Sequence, residues 1–220
     1  MILGLSGKSL SGKDTAADFL VSEMGWNRKS SFSDNLKNIC KKIFNLSDIQ
    51  TRTQEGKKSL IPTITFDRDM HLIPILRELK KSGYTHDARD FNGLLGKKLS
   101  SPREILQFVG TDVIRFFYPE YHCISLMQSV SLKEKVVISD VRFPNEAEAI
   151  LSRGGKLVRL VRLSGVEKRN SNSSRHLSET ALDNWKDWDY VLKNNGLELH
   201  GFFQEIQIML TRLGIENAIK

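Results

Sequence analysis

Apolar positions along this chain recur with two different periods, and the two alternate. The opening run "MILGLS" is short and apolar and ends at Gly7, as a buried strand does ahead of a turn. From Asp14 the spacing changes: Ala17, Leu20, Val21 and Met24 stand three or four apart and Gly25 closes the segment, which predicts a helix. "DNLKNICKKIFNL" predicts a second helix, with Leu36, Ile39, Cys40, Ile43 and Phe44 on one face and Asp34 placed as its N-cap. Residues 51 to 100 are less regular. They hold a polar stretch, a helix-like "LIPILRELKKSG" and a glycine-bearing "FNGLLGKK", and read as a lobe inserted into the core.

Further on, "SPREILQFVGTDVIRFF" predicts a helix that starts at Ser101 with Pro102 in its first turn, where a missing N–H costs nothing. Arg103, Gln107, Gly110 and Thr111 then share roughly one face. "KVVISDV" is a second strand running into Asp140, and "PNEAEAILSRGG" a helix stopped by glycine. "KLVRLVRL" and "WDYVLKNNG" supply two more strands, and "LHGFFQEIQIMLTRLG" an amphipathic terminal helix. Strands alternating with helices predict an α/β fold with a parallel sheet covered on both faces, and ligands at the carboxyl ends of its strands.

Bulk properties narrow the classes. The 220 residues suit one domain with a small inserted lobe, over about 48–100, and no apolar run is long enough to span a bilayer. The N-terminus lacks the basic lead-in of a secretory signal, and Cys40 and Cys123 lack metal-ligand spacing, so a cytoplasmic location is expected, the host's cytoplasm if the protein is viral. A formal net charge of +7 says that anionic partners are tolerated, without saying which. The densest basic stretch carries Arg159, Arg162, Lys168, Arg169 and Arg175 against Glu167 alone. Its middle, "EKRNSNSSRH", is polar and reads as a mobile loop, a lid over phosphates at about 162–180.

The chemistry starts in "GKSLSGKDT". Gly7, four residues (Lys8, Ser9, Leu10, Ser11), then Gly12 and Lys13 match the spacing of a phosphate-binding loop, between a strand and a helix as such a loop requires. Glycines let successive N–H groups point into one cavity, the helix N-terminus adds partial positive charge, and Lys13 reaches the β and γ phosphates. A glycine turn that only caps a helix is the plain alternative. Asp14 stands where such loops place a serine or threonine that binds Mg²⁺. A carboxylate can serve the same hard cation directly or through water, and Thr15 still offers a hydroxyl.

The writing "SGKDT" resembles the loop of the bacteriophage deoxynucleoside monophosphate kinases, and less specifically that of P-loop phosphomevalonate kinases. "SPREILQFVGTDVIR", "VVISDVRFPNEAEAI", "LVRLVRL", "RHLSETAL" and "YVLKNNG" resemble further blocks of the phage kinases in the same order, so the resemblance spans nearly all the chain. It implies a P-loop NTPase-like domain with an acceptor-binding lobe and a lid, using ATP with Mg²⁺ to phosphorylate a deoxynucleoside monophosphate. By that resemblance Gly7 to Thr15 hold ATP, with Asn195 and Gly196 beside adenine. Arg68 and Arg103 hold the acceptor phosphate, and Lys37, Gln107, Gly110, Thr111 and His122 belong to the acceptor site. Asp140, Arg142 and Glu146 bind substrate, the first two joining Lys13 and Asp14 as catalytic residues, and Asp14 and Thr15 take the metal. A single Arg or Asp at a strand end, taken alone, is more often a solvated surface group, and the common location of these residues at the carboxyl ends of the strands weighs against that.

Two departures stand out. Where relatives carry an aromatic residue to pack on the base, this chain has His122, so base preference can differ; a histidine with no ligand role is the equal alternative. Lys8, Ser9 and Leu10 replace a more basic loop filling, which shifts a phosphate contact toward the lid arginines. Glu179 either orients a lid arginine or caps a helix, and Trp185 and Trp188, three apart, read as core packing on one helical turn. Three classes remain: a deoxynucleotide kinase, another small-molecule P-loop kinase, and a basic nucleic-acid module with a relic loop, which steep salt dependence of binding would reveal. The intact Lys13 argues against the relic. No stable nucleic-acid partner is expected, and a homodimer is left open.

Overall fold

Five consecutive buried residues must pair their backbone groups within the protein, and Ile2–Ser6 (β1) does so as the central strand of a sheet. The computed structural model describes residues 1–131, 133–162, 177–195 and 198–215. After β1 come α1 (Lys13–Ser22), β2 (Arg28–Ser30), α2 (Asp34–Phe44), α3 (Asp48–Arg52), α4 (Gln54–Lys58), β3 (Ile64–Thr65) and α5 (Ile73–Lys81). Then follow β4 (Lys98–Leu99), α6 (Pro102–Gln107), α7 (Tyr121–Ser129), β5 (Val136–Val141) and α8 (Pro144–Leu151). β6 (Lys156–Arg162), α9 (Leu177–Thr180), β7 (Tyr190–Asn194) and α10 (Leu199–Arg212) complete the order.

The described residues fall into two compact units, one drawn from Met1–Phe32 and Leu126–Lys220, the other Ser33–Ser125. The first holds a five-stranded sheet of order β2-β5-β1-β6-β7, every neighbouring pair parallel. Its two faces follow from strand alternation. Leu3 and Leu5 join Val137, Val158, Leu160 and Leu192 under α1 and α10, against Ala17, Leu20, Phe202 and Ile206. Gly4 points the other way, where a side chain would meet Ile150 of α8 at 2.6 Å. Helices therefore cover both faces, as predicted, and β1 delivers its carboxyl end to the glycine loop.

The second unit has its own core, in which Leu36, Ile39 and Phe44 of α2 join Phe66, Ile75, Leu79, Ile105 and Phe108. The stretch 48–100 lies within this unit, together with α2 and α6. β3 and β4 pair antiparallel over two residues each. The helix expected from Ser101 begins as predicted, with the Ser101 hydroxyl accepting from Glu104 N–H at 3.3 Å and Pro102 first in line. It widens into a π-helix over Phe108–Arg115.

Three expectations need correction. The sheet has a fifth strand, β2, whose "RKS" carries no apolar run because it is a three-residue edge strand paired only with β5. Helix α2 starts one residue earlier than a cap at Asp34 allows, with Ser33 in the cap position. Trp185 and Trp188 sit on no helix: the Trp188 indole donates to the Trp185 carbonyl at 2.9 Å in an irregular segment. Glu179 pairs with Arg142, which stands outside the expected lid; the lid's Arg169 and Arg175 lie outside the described residues. Of that lid, residues 163–176 lie outside the described residues.

Candidate active site

The loop after β1 is shaped by two glycines that no other residue replaces. Gly7 has φ +152° and Gly12 φ +100°, and a Cβ on Gly7 would sit 2.5 Å from the Leu160 carbonyl oxygen and 2.7 Å from Ser11 Oγ. Leu10, at the tip, holds φ +63° despite its side chain and is exposed. Lys13 opens α1 and folds back under the loop: Nζ donates to the carbonyls of Gly7 and Lys8, both at 2.7 Å, and to Ser11 Oγ at 3.3 Å. Only 8% of Lys13 is exposed. Burial, seconded by the Arg142 charge, lowers its pKa to about 8 against the opposing pull of Glu179, Asp14 and Asp140. Asn194, at the end of β7, donates to the Ser11 carbonyl at 3.2 Å. Sequence resemblance singled out its neighbour Asn195, which is exposed, while Gly196 lies outside the described residues.

Asp14 is held from one side. Its Oδ1 receives Lys29 Nζ at 2.9 Å and Ser139 Oγ at 3.3 Å, while Oδ2 has no protein partner among the described residues. Lys29 also reaches Asp18 at 3.0 Å, one helical turn along α1. Partial burial works against the Asp14 charge, but the bond and charge of Lys29 together with the Lys13 charge and the Ser139 bond outweigh it, so its pKa falls below the ordinary value. Thr15, next in the exposed first turn, adds a hydroxyl. An anchored carboxylate with one oxygen to spare and an adjacent hydroxyl fit Mg²⁺, which takes few protein ligands when phosphates supply the rest. No cluster of three or more metal-ligating side chains occurs among the described residues, and the fit rests on this pair. Lys29 was invisible to sequence reading because it lies on the unpredicted β2.

Beside the loop stand more cations. Arg142, just beyond β5, donates from Nη1 to the Ser178 carbonyl at 3.3 Å and to the Glu179 carboxylate. Burial disfavours its charge, but Glu179, then Asp140 and Glu146, more than compensate and raise its pKa. Arg159 reaches Ser6 Oγ at 3.3 Å, and Arg162 donates to the Leu10 carbonyl at 3.2 Å. Asp140 accepts from Ser31 Oγ at 2.5 Å and from the Phe32 N–H at 2.8 Å, which fixes the end of β2 to the end of β5. Glu146, 2% exposed, receives the N–H groups of Arg142 at 2.8 Å and Phe143 at 3.2 Å and so caps α8.

In the second unit, Arg103, Gln107, Gly110 and Thr111 lie on the continuous run of α6 and the π-helix. Arg103 donates to Gln54 Oε1 at 2.9 Å, and its Nε is buried with no hydrogen-bond partner. Gly110 allows α2 to approach: a side chain there would meet Leu36 at 2.6 Å. His122 is buried with Nε2 3.3 Å from the Gly110 carbonyl, so these two residues are brought together. Lys37 pairs with Asp34 at 3.2 Å, and Arg68 is exposed at the start of a π-helical turn capped by Asp67.

A parallel sheet whose central strand runs into a glycine loop, with a lysine folded beneath it at the start of a helix, is the P-loop kinase architecture. No family model matches the chain. Over 210 residues it is 33% identical to a protein of Acanthamoeba polyphaga mimivirus provisionally named deoxynucleotide monophosphate kinase, the match covering 89% of each chain. The chain belongs to the deoxynucleotide monophosphate kinase family. This relative comes from a giant virus, whereas the sequence resemblance pointed to bacteriophages. The solved dephospho-CoA kinase of Campylobacter jejuni overlays on 96% of both chains at 14% identity with a TM-score of 0.45, a likeness too loose to bear on function.

Proposed function

We propose that the protein transfers the γ-phosphate of ATP to a deoxynucleoside monophosphate, yielding the diphosphate and ADP. The observation that carries this reading is Lys13, buried beneath a loop whose two positive-φ glycines end the central strand, in a chain of this kinase family. Phosphoryl transfer asks a protein for positioning and charge neutralisation more than for covalent chemistry. Loop N–H groups and the start of α1 take the donor phosphates, with Lys13 and Arg142 offsetting the charge that develops on the transferring group. Asp14 and Thr15 would hold Mg²⁺, which screens the phosphates and draws charge from the leaving oxygen. Asn195 and Gly196 lie beside adenine in this reading.

Acceptor binding falls to Arg103 and Arg68, whose planar forks take phosphate oxygens in pairs. The buried, unpartnered Nε of Arg103 supports this, since such a donor is costly to leave unsatisfied. Lys37, Gln107, Gly110, Thr111 and His122 complete the acceptor site. No helix among the described residues is long and apolar enough to cross a membrane. Purified protein with ATP, Mg²⁺ and each of the four deoxynucleoside monophosphates, ribonucleotides serving as controls, is expected to form at least one deoxynucleoside diphosphate. Turnover only with a phosphorylated metabolite that lacks a base would replace this reading.

A further inference from the structure

Three cations around the donor loop come from three separate elements and converge on six residues of chain. Lys8 of the loop donates from Nζ to the Glu179 carbonyl and to Asp183 Oδ1, both at 2.5 Å. Arg142, beyond β5, takes the Ser178 carbonyl and the Glu179 carboxylate. Arg159 of β6 lies 3.4 Å from Asp183 Oδ1, with its guanidinium 5.4 Å over the Trp188 ring. Residues 178–183 are thus the shared counter-charge of the site. Among them Glu179 is the least exposed carboxylate, its side chain 14% accessible against 43% for Asp183. Its pairing is accordingly less screened by water.

We propose that Glu179 is a positioning residue for phosphoryl transfer, fixing the Arg142 guanidinium in the orientation that meets the transferring phosphate. The inference rests on the kinase reading above. A free arginine side chain samples many rotamers, and ordering it in the transition state would subtract from catalysis. With Glu179 and the Ser178 carbonyl both on Nη1, that ordering is complete when the chain folds, and the opposite edge of the guanidinium keeps donors for phosphate. The carboxylate also relieves the repulsion between Lys13 and Arg142. A mere staple between α9 and the end of β5 would use the same contact, so the test must separate the two.

Glu179→Gln keeps size and removes charge. It is expected to lower kcat about tenfold with the KM for ATP changed less than threefold, while Glu179→Asp, which keeps the charge, stays within threefold of the unmodified enzyme. In an Arg142→Met background, adding Glu179→Gln should change kcat less than twofold, because the group it positions is gone. Equal losses in both backgrounds overturn the inference, as does a fall in melting temperature with kcat unaltered. A low kcat for Arg142→Met with an undiminished kcat for Glu179→Gln removes Glu179 alone and leaves the kinase reading intact. Full activity in Arg142→Met would instead remove Arg142 from the reaction, and this inference with it.

Discussion

In the proposed reaction Lys13 supplies its charge from one ammonium group, whose environment gives a pH signature. Buried beneath the loop, its pKa drops from the ordinary lysine value to about 8. Below that pH the folded enzyme carries the charge that ATP needs; above it the charge is lost. The kcat/KM for ATP, which reports the free enzyme, is therefore expected to fall as pH rises through about 8. Stability moves the other way, because between about 8 and the unfolded value the unfolded chain binds a proton that the folded chain does not. A kcat/KM profile flat from pH 7 to 9.5 would contradict this assignment. On the acceptor side, Arg103→Lys keeps charge but loses the fork and the buried Nε donor. It should raise the KM for the deoxynucleotide more than tenfold, about 1.4 kcal/mol or more, with the KM for ATP within threefold. A variant that weakens ATP alone would place Arg103 on the donor side.

Elements show how far a sequence carries position. β1, β5, β6, β7, α1, α8 and α10 follow from hydrophobic pattern and glycine stops, because each turns apolar residues to the core or to a neighbouring element. β2 leaves no such trace, as its three polar residues contribute backbone to β5 rather than a face to the core. The π-helix after α6 keeps a helix-like apolar pattern, so its extra backbone turn is not spelled in residue type. The glycine loop was the most legible part of the site, since Gly7 and Gly12 are required by backbone shape. Partners distant in sequence were the least legible: Arg142 and Glu179 are 37 residues apart, and Asp14 and Ser139 are 125 apart. No local period encodes such pairs. Gly7→Ala tests the loop as an element. Its methyl would press the Leu160 carbonyl in β6, so the loop must shift. A loss of about 2 kcal/mol or more in denaturant unfolding, with at least tenfold weaker ATP binding, is expected. Unchanged binding would show that the loop tolerates another backbone path.

At the scale of the molecule, alternating strands and helices foretold a parallel sheet with helices on both faces, and the order β2-β5-β1-β6-β7 places the glycine loop at the carboxyl end of its central strand. Family membership rests on 33% identity across 89% of each chain, which is whole-chain evidence of a kind that no single motif supplies. The central claim is that this chain moves phosphate from ATP to a deoxynucleoside monophosphate by way of Lys13. Incubation with γ-labelled ATP, Mg²⁺ and a mixture of the four deoxynucleoside monophosphates tests it most directly, with products resolved by chromatography. Label should appear in at least one deoxynucleoside diphosphate, and Lys13→Ala, still folded by circular dichroism, should lower the rate by about a hundredfold or more. Label that stays in ATP and inorganic phosphate, or transfer that survives Lys13→Ala undiminished, would contradict the account.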